Sequence, residues 1–279
     1  MSTPNDIYEL PSTTSQDIRK MYIWLGGIFG GLLLIGLTVI FFAQTLVKFI
    51  PFSAEERFVA PYEKVFFQSK DTLSDEDKVI QSYLETLVER LDSVSTSTPD
   101  VTYKIHYSNK SVENAFATLG GHIVIYRGLL DSLENENALA MIIAHEMAHI
   151  KSRDPAAGAG RSLALSMIIA SASGGYYDGV ADLLSEAGIS QFSRKQEKQA
   201  DIIALDMLNA LYGHVGGRDD FFRMMAKDET DIPTWLASHP DVSERISYLE
   251  KVSTDKGYVV GEKVLFPENI QAALSKNRF

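Results

Sequence analysis

The chain has 279 residues, of which 45% are hydrophobic and 23% charged, with a formal net charge of −11 and no cysteine. That acidity argues against nucleic acid and anionic lipid as partners. The absence of cysteine is compatible with an oxidising compartment without requiring one. There is no internal repeat, Walker motif, dinucleotide glycine loop or basic stripe, and the length beyond residue 70 suits one domain with a proper core.

Residues 1–18 are rich in Ser, Thr, Pro and Asp and predict a disordered tail. From Tyr22 to Val47 no charged side chain occurs. The run exceeds the roughly 20 residues needed to cross a hydrocarbon core. It is too long for a signal peptide, and Gln44-Thr45-Leu46-Val47-Lys48 makes a poor cleavage site, so it reads as a retained single-pass anchor in a lipid bilayer over residues 22–47. Arg19 and Lys20 precede it, and Lys48, Arg57 and Lys64 follow, so the flanking charges leave its direction nearly open. Gly26-x-x-x-Gly30 and Gly27-x-x-x-Gly31 offer a small-residue stripe for a homo-oligomer of spans.

Residues 48–70 read as a juxtamembrane linker and Ser74–Leu91 as a helix, with a Ser/Thr/Pro connector over Ser93–Asp100. Residues 101–107 alternate like a strand, and 122–126 read as another. Helices dominate from about 134 to 252. Leu163–Ala172 is apolar but too short for a span, which predicts a buried core helix. Gly174–Gly179 reads as a flexible loop. The expected fold class is mainly α with a small β-sheet (α+β), as one domain over 71–279 behind a single membrane helix.

His145-Glu146-Met147-Ala148-His149 is the HExxH arrangement of a zinc hydrolase, set in the apolar run Asn137–Ala144. Two histidines four apart share one helical face and can reach one ion. Glu146 borders that ion without having to bind it, which is where a general base should stand. A surface helix with solvated histidines fits badly, because polar groups in so apolar a helix are costly unless paired. A third ligand is needed. In Ser193–Ala204, Glu197 and Asp201 share a face with the small residues Ala200 and Ala204, which would allow close helix approach. Glu197 then ligates one Zn2+ per chain, and Asp201 accepts a hydrogen bond from a ligand imidazole. Without the HExxH the same stretch would read as a solvated charged face. His106, His122 and His214 have no ligand spacing and read as structural or surface residues.

These motifs resemble the membrane-associated zinc metallopeptidases typified by the CAAX prenyl endopeptidase and the HtpX heat-shock protease, and most of all the small bacterial cell-envelope members. Asn114-Ala115-Phe116-Ala117 with Gly120-Gly121, the HExxH, Glu197-x-x-Ala200-Asp201, and Ser238-His239-Pro240 followed by Arg245 occur in the family's order across roughly residues 75–250. The family's proline before the paired glycines is replaced by Thr118-Leu119. The resemblance implies a zincin-like metalloprotease domain. It makes His145, His149 and Glu197 zinc ligands, Glu146 the base and acid, and His239 a donor to the oxyanion, with Asp201 and Arg245 behind the ligands. Asn114, Ala115, Phe116 and Ala117 become the edge strand for an extended polypeptide substrate. It also implies a bacterial inner-membrane protein with a periplasmic catalytic domain acting on unfolded or misassembled proteins. A silent metal-binding chaperone or scaffold, and a zinc hydrolase with a non-protein or chain-end substrate, stand as alternatives.

Overall fold

The computed structural model describes residues 14–67, 70–96, 101–173, 192–226, 235, 239 and 242–276. The first helix, α1 (Ser15–Leu46), carries the apolar run. It starts earlier than the sequence predicts because Thr14 and Asp17 form a capping box, in which Thr14 Oγ1 accepts the Asp17 N–H and the Asp17 carboxylate accepts the Thr14 N–H. Residues 15–18, expected in the tail, are therefore helical. Over Ser15–Ala43 the helix is long and apolar enough to cross a membrane, and most of its large hydrophobic side chains are exposed. Nothing lies within 4 Å of the Cβ positions of Gly26, Gly27, Gly30 and Gly31.

Past α1 the expected linker is folded. Helices α2 (Phe52–Val59) and α3 (Glu63–Phe66) follow, and Phe52 and Val59 are buried. Helix α4 (Asp75–Val94) is capped by Ser74, whose hydroxyl accepts from the Asp77 N–H at 3.1 Å. Strands β1 (Lys104–Ser108), β2 (Ala115–Thr118) and β3 (His122–Tyr126) make one sheet in the order β1-β3-β2. The first strand starts at Lys104 and not at Val101, because pairing with β3 runs from Lys104↔His122 to Ser108↔Tyr126.

Among the described residues the remaining α-helices are α5 (Arg127–Ser132), α6 (Glu136–Lys151), α7 (Asp154–Ser173), α8 (Arg194–Tyr212), α9 (Asp220–Met225), α10 (Val242–Asp255) and α11 (Glu268–Lys276). Every residue of α6 from Glu136 to Ile150 is buried, which is why its sequence shows no polar face. Ile80, Leu84, Leu87 and Leu91 of α4 lie on one helical face and close the core with Ile123, Ile125, Leu139, Ile143 and Leu208. Each such side chain contributes about 1.5–3 kcal/mol of burial.

At the start of α6 the buried Glu136 accepts the hydroxyls of Tyr83 and Tyr212 and a guanidinium N–H of Arg90, all within 2.8 Å. Burial would raise its carboxyl, but these hydrogen bonds and the Arg90 charge hold it below its ordinary value. The carboxylate also sits at the positive end of the helix it begins.

The expected core helix at Leu163–Ala172 belongs to α7, which lies against α1, and Leu163 is exposed. Gly36 and Ala43 of α1 and Val47 just after it are buried on one face, and Ala157 of α7 packs on Ala43 and Val47. Small residues on that stripe let the two backbones approach. The Gly174–Gly179 loop lies outside the described residues.

Candidate active site

α6 and α8 pack side by side, and this contact brings the two sequence motifs together. His145, His149, Glu197 and His239 each offer a donor atom within 4.8 Å of the others, and all four are buried. His145 Nε2 and His149 Nε2 are 3.0 Å apart. Glu197 Oε1 lies 3.3 Å from His149 Nε2, and Glu197 Oε2 lies 3.6 Å from His145 Nε2. Two imidazoles and a carboxylate, with a third imidazole beside them, form a donor set that suits zinc. These side chains are placed to hold a metal ion.

Each ligand candidate is oriented from behind. His145 Nδ1 is 3.1 Å from Asp201 Oδ1, the pairing expected of Asp201. Arg245 grips the Asp201 carboxylate through Nε and Nη2, at 3.0 and 2.6 Å, while its Nη1 lies 2.8 Å from Glu197 Oε2. The guanidinium lies over the rings of Phe222 and Trp235, 4.4 and 4.8 Å from their centroids. Arg245 thus joins two carboxylates of α8 to α10.

His149 has a partner that sequence reasoning missed. Its Nδ1 is 2.8 Å from Asp154 Oδ2, and Gln196 Nε2 donates to the other Asp154 oxygen at 2.7 Å. Burial works against the charged imidazole, yet the hydrogen bonds to Asp154 and Glu197 push His149 up to about 9. Burial would raise Glu197, but the His239 charge and bonds to His145 and His149 hold it far below the carboxylate range.

Glu146 is wholly buried and sits against the sheet. Ala117 N–H donates to its Oε2 at 2.8 Å, while its Oε1 has no hydrogen-bond partner among the described residues and lies 3.5 Å from His239 Nε2. That amide belongs to β2, which is the edge of the sheet next to β3. Tyr126 N–H donates to Asn114 O at 3.1 Å, so Asn114, Phe116 and Thr118 bond towards β3 and the main-chain groups of Ala115 and Ala117 turn outward. The strand starts at Ala115, leaving Asn114 just before it.

His239 is buried, with Nδ1 3.0 Å from Glu197 Oε1 and Trp235 stacked on its ring at 4.2 Å. Phe192 stacks on His149 at 4.0 Å from the other side. Neither aromatic was singled out from the sequence, since no local pattern marks them. Asp154, Phe192 and Gln196 also line a cavity of about 840 Å³. His106 and His122 lie apart from this centre, 2.8 Å from each other and stacked under Phe67. Burial lowers both to about 4, as befits structural histidines.

The profile of Peptidase family M48 matches residues 76–253. The mitochondrial metalloendopeptidase OMA1 of Schizosaccharomyces pombe is 28% identical over 250 residues, covering 83% of this chain and 72% of its own. Metalloprotease LoiP of Escherichia coli is 30% identical over 199 residues, 67% of this chain and 76% of its own. The β-barrel assembly-enhancing protease of Yersinia pestis is 27% identical over 190 residues, 61% of this chain but 38% of its own. With both histidines of the HExxH, Glu197 and Arg245 inside the matched region, the chain belongs to peptidase family M48 and is a metalloprotease.

Proposed function

We propose that the chain is a membrane-anchored, zinc-dependent endopeptidase that cuts extended segments of unfolded or misassembled envelope proteins. The observation that carries this reading is the place of Glu146, hydrogen-bonded to an outward amide of an edge strand and bordering the buried donor group. Zinc held by His145, His149 and Glu197 would supply a Lewis acid for the scissile carbonyl and the attacking water. An extended peptide pairs with the outward main-chain groups of β2 other than the Ala117 N–H, which Glu146 accepts, so its main chain is held whatever its side chains. Glu146 takes the proton of the attacking water at Oε1 and returns it to the leaving amine. A silent scaffold has no need of that carboxylate. Incubating the purified chain with unfolded casein and mapping the products tests the proposal. Internal cuts are expected; terminal trimming alone, or binding without cleavage, would favour one of the alternatives.

His239 admits two roles. As a donor to the developing oxyanion it acts through Nε2, which has no hydrogen-bond partner among the described residues. As a fourth ligand it acts through Nδ1, which lies among the donor atoms of the group. In the first role His239→Phe lowers kcat by about 10²–10³ with metal content unchanged. Loss of metal on dialysis would assign the second.

For the anchor we propose residues 1–20 in the cytoplasm and the catalytic domain in the periplasm of a bacterial inner membrane. The relative LoiP is from a bacterium, and a domain of this size can be translocated whatever its own charge. Protease added to spheroplasts is expected to digest a C-terminal tag; a tag protected until lysis reverses the orientation.

A further inference from the structure

Arg153 is the non-glycine residue with positive φ among those described, at 61°, and it sits where α6 gives way to α7. Such a backbone is strained for a residue with a Cβ, and helices that end this way usually do so on glycine. Its side chain is held through Nη2, while the buried Nε has no hydrogen-bond partner among the described residues. Nη2 lies 2.7 Å from Glu55 Oε1 and donates to Ile50 O at 3.0 Å, with the guanidinium 5.4 Å over the Phe52 ring. The Arg153 and Glu55 side chains are only 13% and 10% exposed, so this pair is not a screened surface bridge. Ile50, Phe52 and Glu55 are the stretch that leaves α1.

The other oxygen of Glu55 reaches the opposite wall of the site, where Gly120 N–H donates to Oε2 at 3.2 Å. Gly120 and Gly121 both have positive φ, and a Cβ on Gly121 would meet Thr102 O at 1.9 Å, so the turn closing β2 has little freedom. Three residues before it, Ala117 holds Glu146. Next to Arg153, Asp154 holds His149. One ion pair from the membrane-exit segment therefore touches the supports of both the general base and a metal ligand.

We propose that Glu55 and Arg153 form a positioning clamp through which the segment leaving α1 sets both walls of the active site. Arg153 fixes the α6–α7 junction that carries Asp154, and Glu55 fixes the glycine turn that ends the edge strand. The inference rests on the metallopeptidase reading for what the two walls do. It makes the exit segment part of the catalytic scaffold and not a tether.

The test uses the full chain in nanodiscs, with Arg153→Gly and Glu55→Gln. Glycine relieves the backbone at position 153, so if the residue served only the turn, Arg153→Gly would leave activity and Tm unchanged or raise Tm. The clamp instead lowers kcat about tenfold in each variant, by misplacing the reacting groups, with KM and metal content near wild type. The double variant is no worse than either single one, since both remove the same interaction. Hydrogen exchange is read in parallel on peptides covering 115–121 and 150–157. Both stretches exchange faster in both variants, and this readout stands even if casein is not a substrate. Unchanged exchange in either stretch, or wild-type kcat in Arg153→Gly, overturns the clamp.

Discussion

Replacing Glu146 with glutamine is expected to lower kcat by about 10²–10⁴ while leaving metal content at the wild-type level. Glutamine has nearly the same shape, and its carbonyl oxygen can still accept the Ala117 N–H that now bonds Oε2 at 2.8 Å. What disappears is the proton acceptor at Oε1, 3.5 Å from His239 Nε2. None of the donor atoms within the metal group belongs to Glu146, so retention of the ion should not change. Turnover and elemental analysis on the same preparation separate base from ligand. Wild-type turnover in Glu146→Gln would remove the assigned chemistry. Loss of metal would make Glu146 a ligand instead.

The parts of this molecule that sequence could show are those set by local spacing. His145 and His149 are four apart on a buried helix, and Glu197 and Asp201 four apart on another. The helical repeat alone fixes which atoms face the same way. Glu197 at the donor group and Asp201 against His145 follow from that spacing once the helices pack. The strand His122–Tyr126 was legible for another local reason, because a short run of β-branched and aromatic residues favours a strand.

Asp154 was not legible. It lies five residues beyond His149, past the end of α6, and only the reversed backbone at Arg153 brings its carboxylate back onto His149 Nδ1. Nothing in Ser152-Arg153-Asp154-Pro155 announces a positive φ at an arginine, since the usual marker is glycine. Phe192 and Trp235 were hidden for a related reason. Phe192 packs on His149, far from it in sequence, while Trp235 stacks on His239 one helical turn later, and an aromatic residue carries no sign of which ring it will meet. The segment 48–70 reads from sequence as a juxtamembrane linker; its order comes from tertiary contacts of Phe52, Glu55 and Val59.

Removing the carboxylate of Glu197 is expected to have the larger effect on metal. Substitutions behind metal ligands commonly weaken binding 10–100-fold, so Asp154→Asn should fall in about that range, while Glu197→Ala should exceed it because a direct donor is lost. The alanine variant also deprives Arg245 Nη1 of the carboxylate 2.8 Å away. Removing that charge beside a buried guanidinium is destabilising, and Asp201 keeps the guanidinium from losing all its counter-charge. A fall in metal content by Glu197→Ala could thus be confused with partial unfolding. Glu197→Gln separates the two, because it keeps the volume and an oxygen acceptor for Arg245 but removes the charge that favours the cation. Metal lost on dialysis, with a Tm equal to that of the metal-free wild type, is the expected result for Glu197→Gln. Full metal content in the glutamine variant would take Glu197 out of the ligand set, and His239, the remaining donor of the group, would become the third ligand in its place.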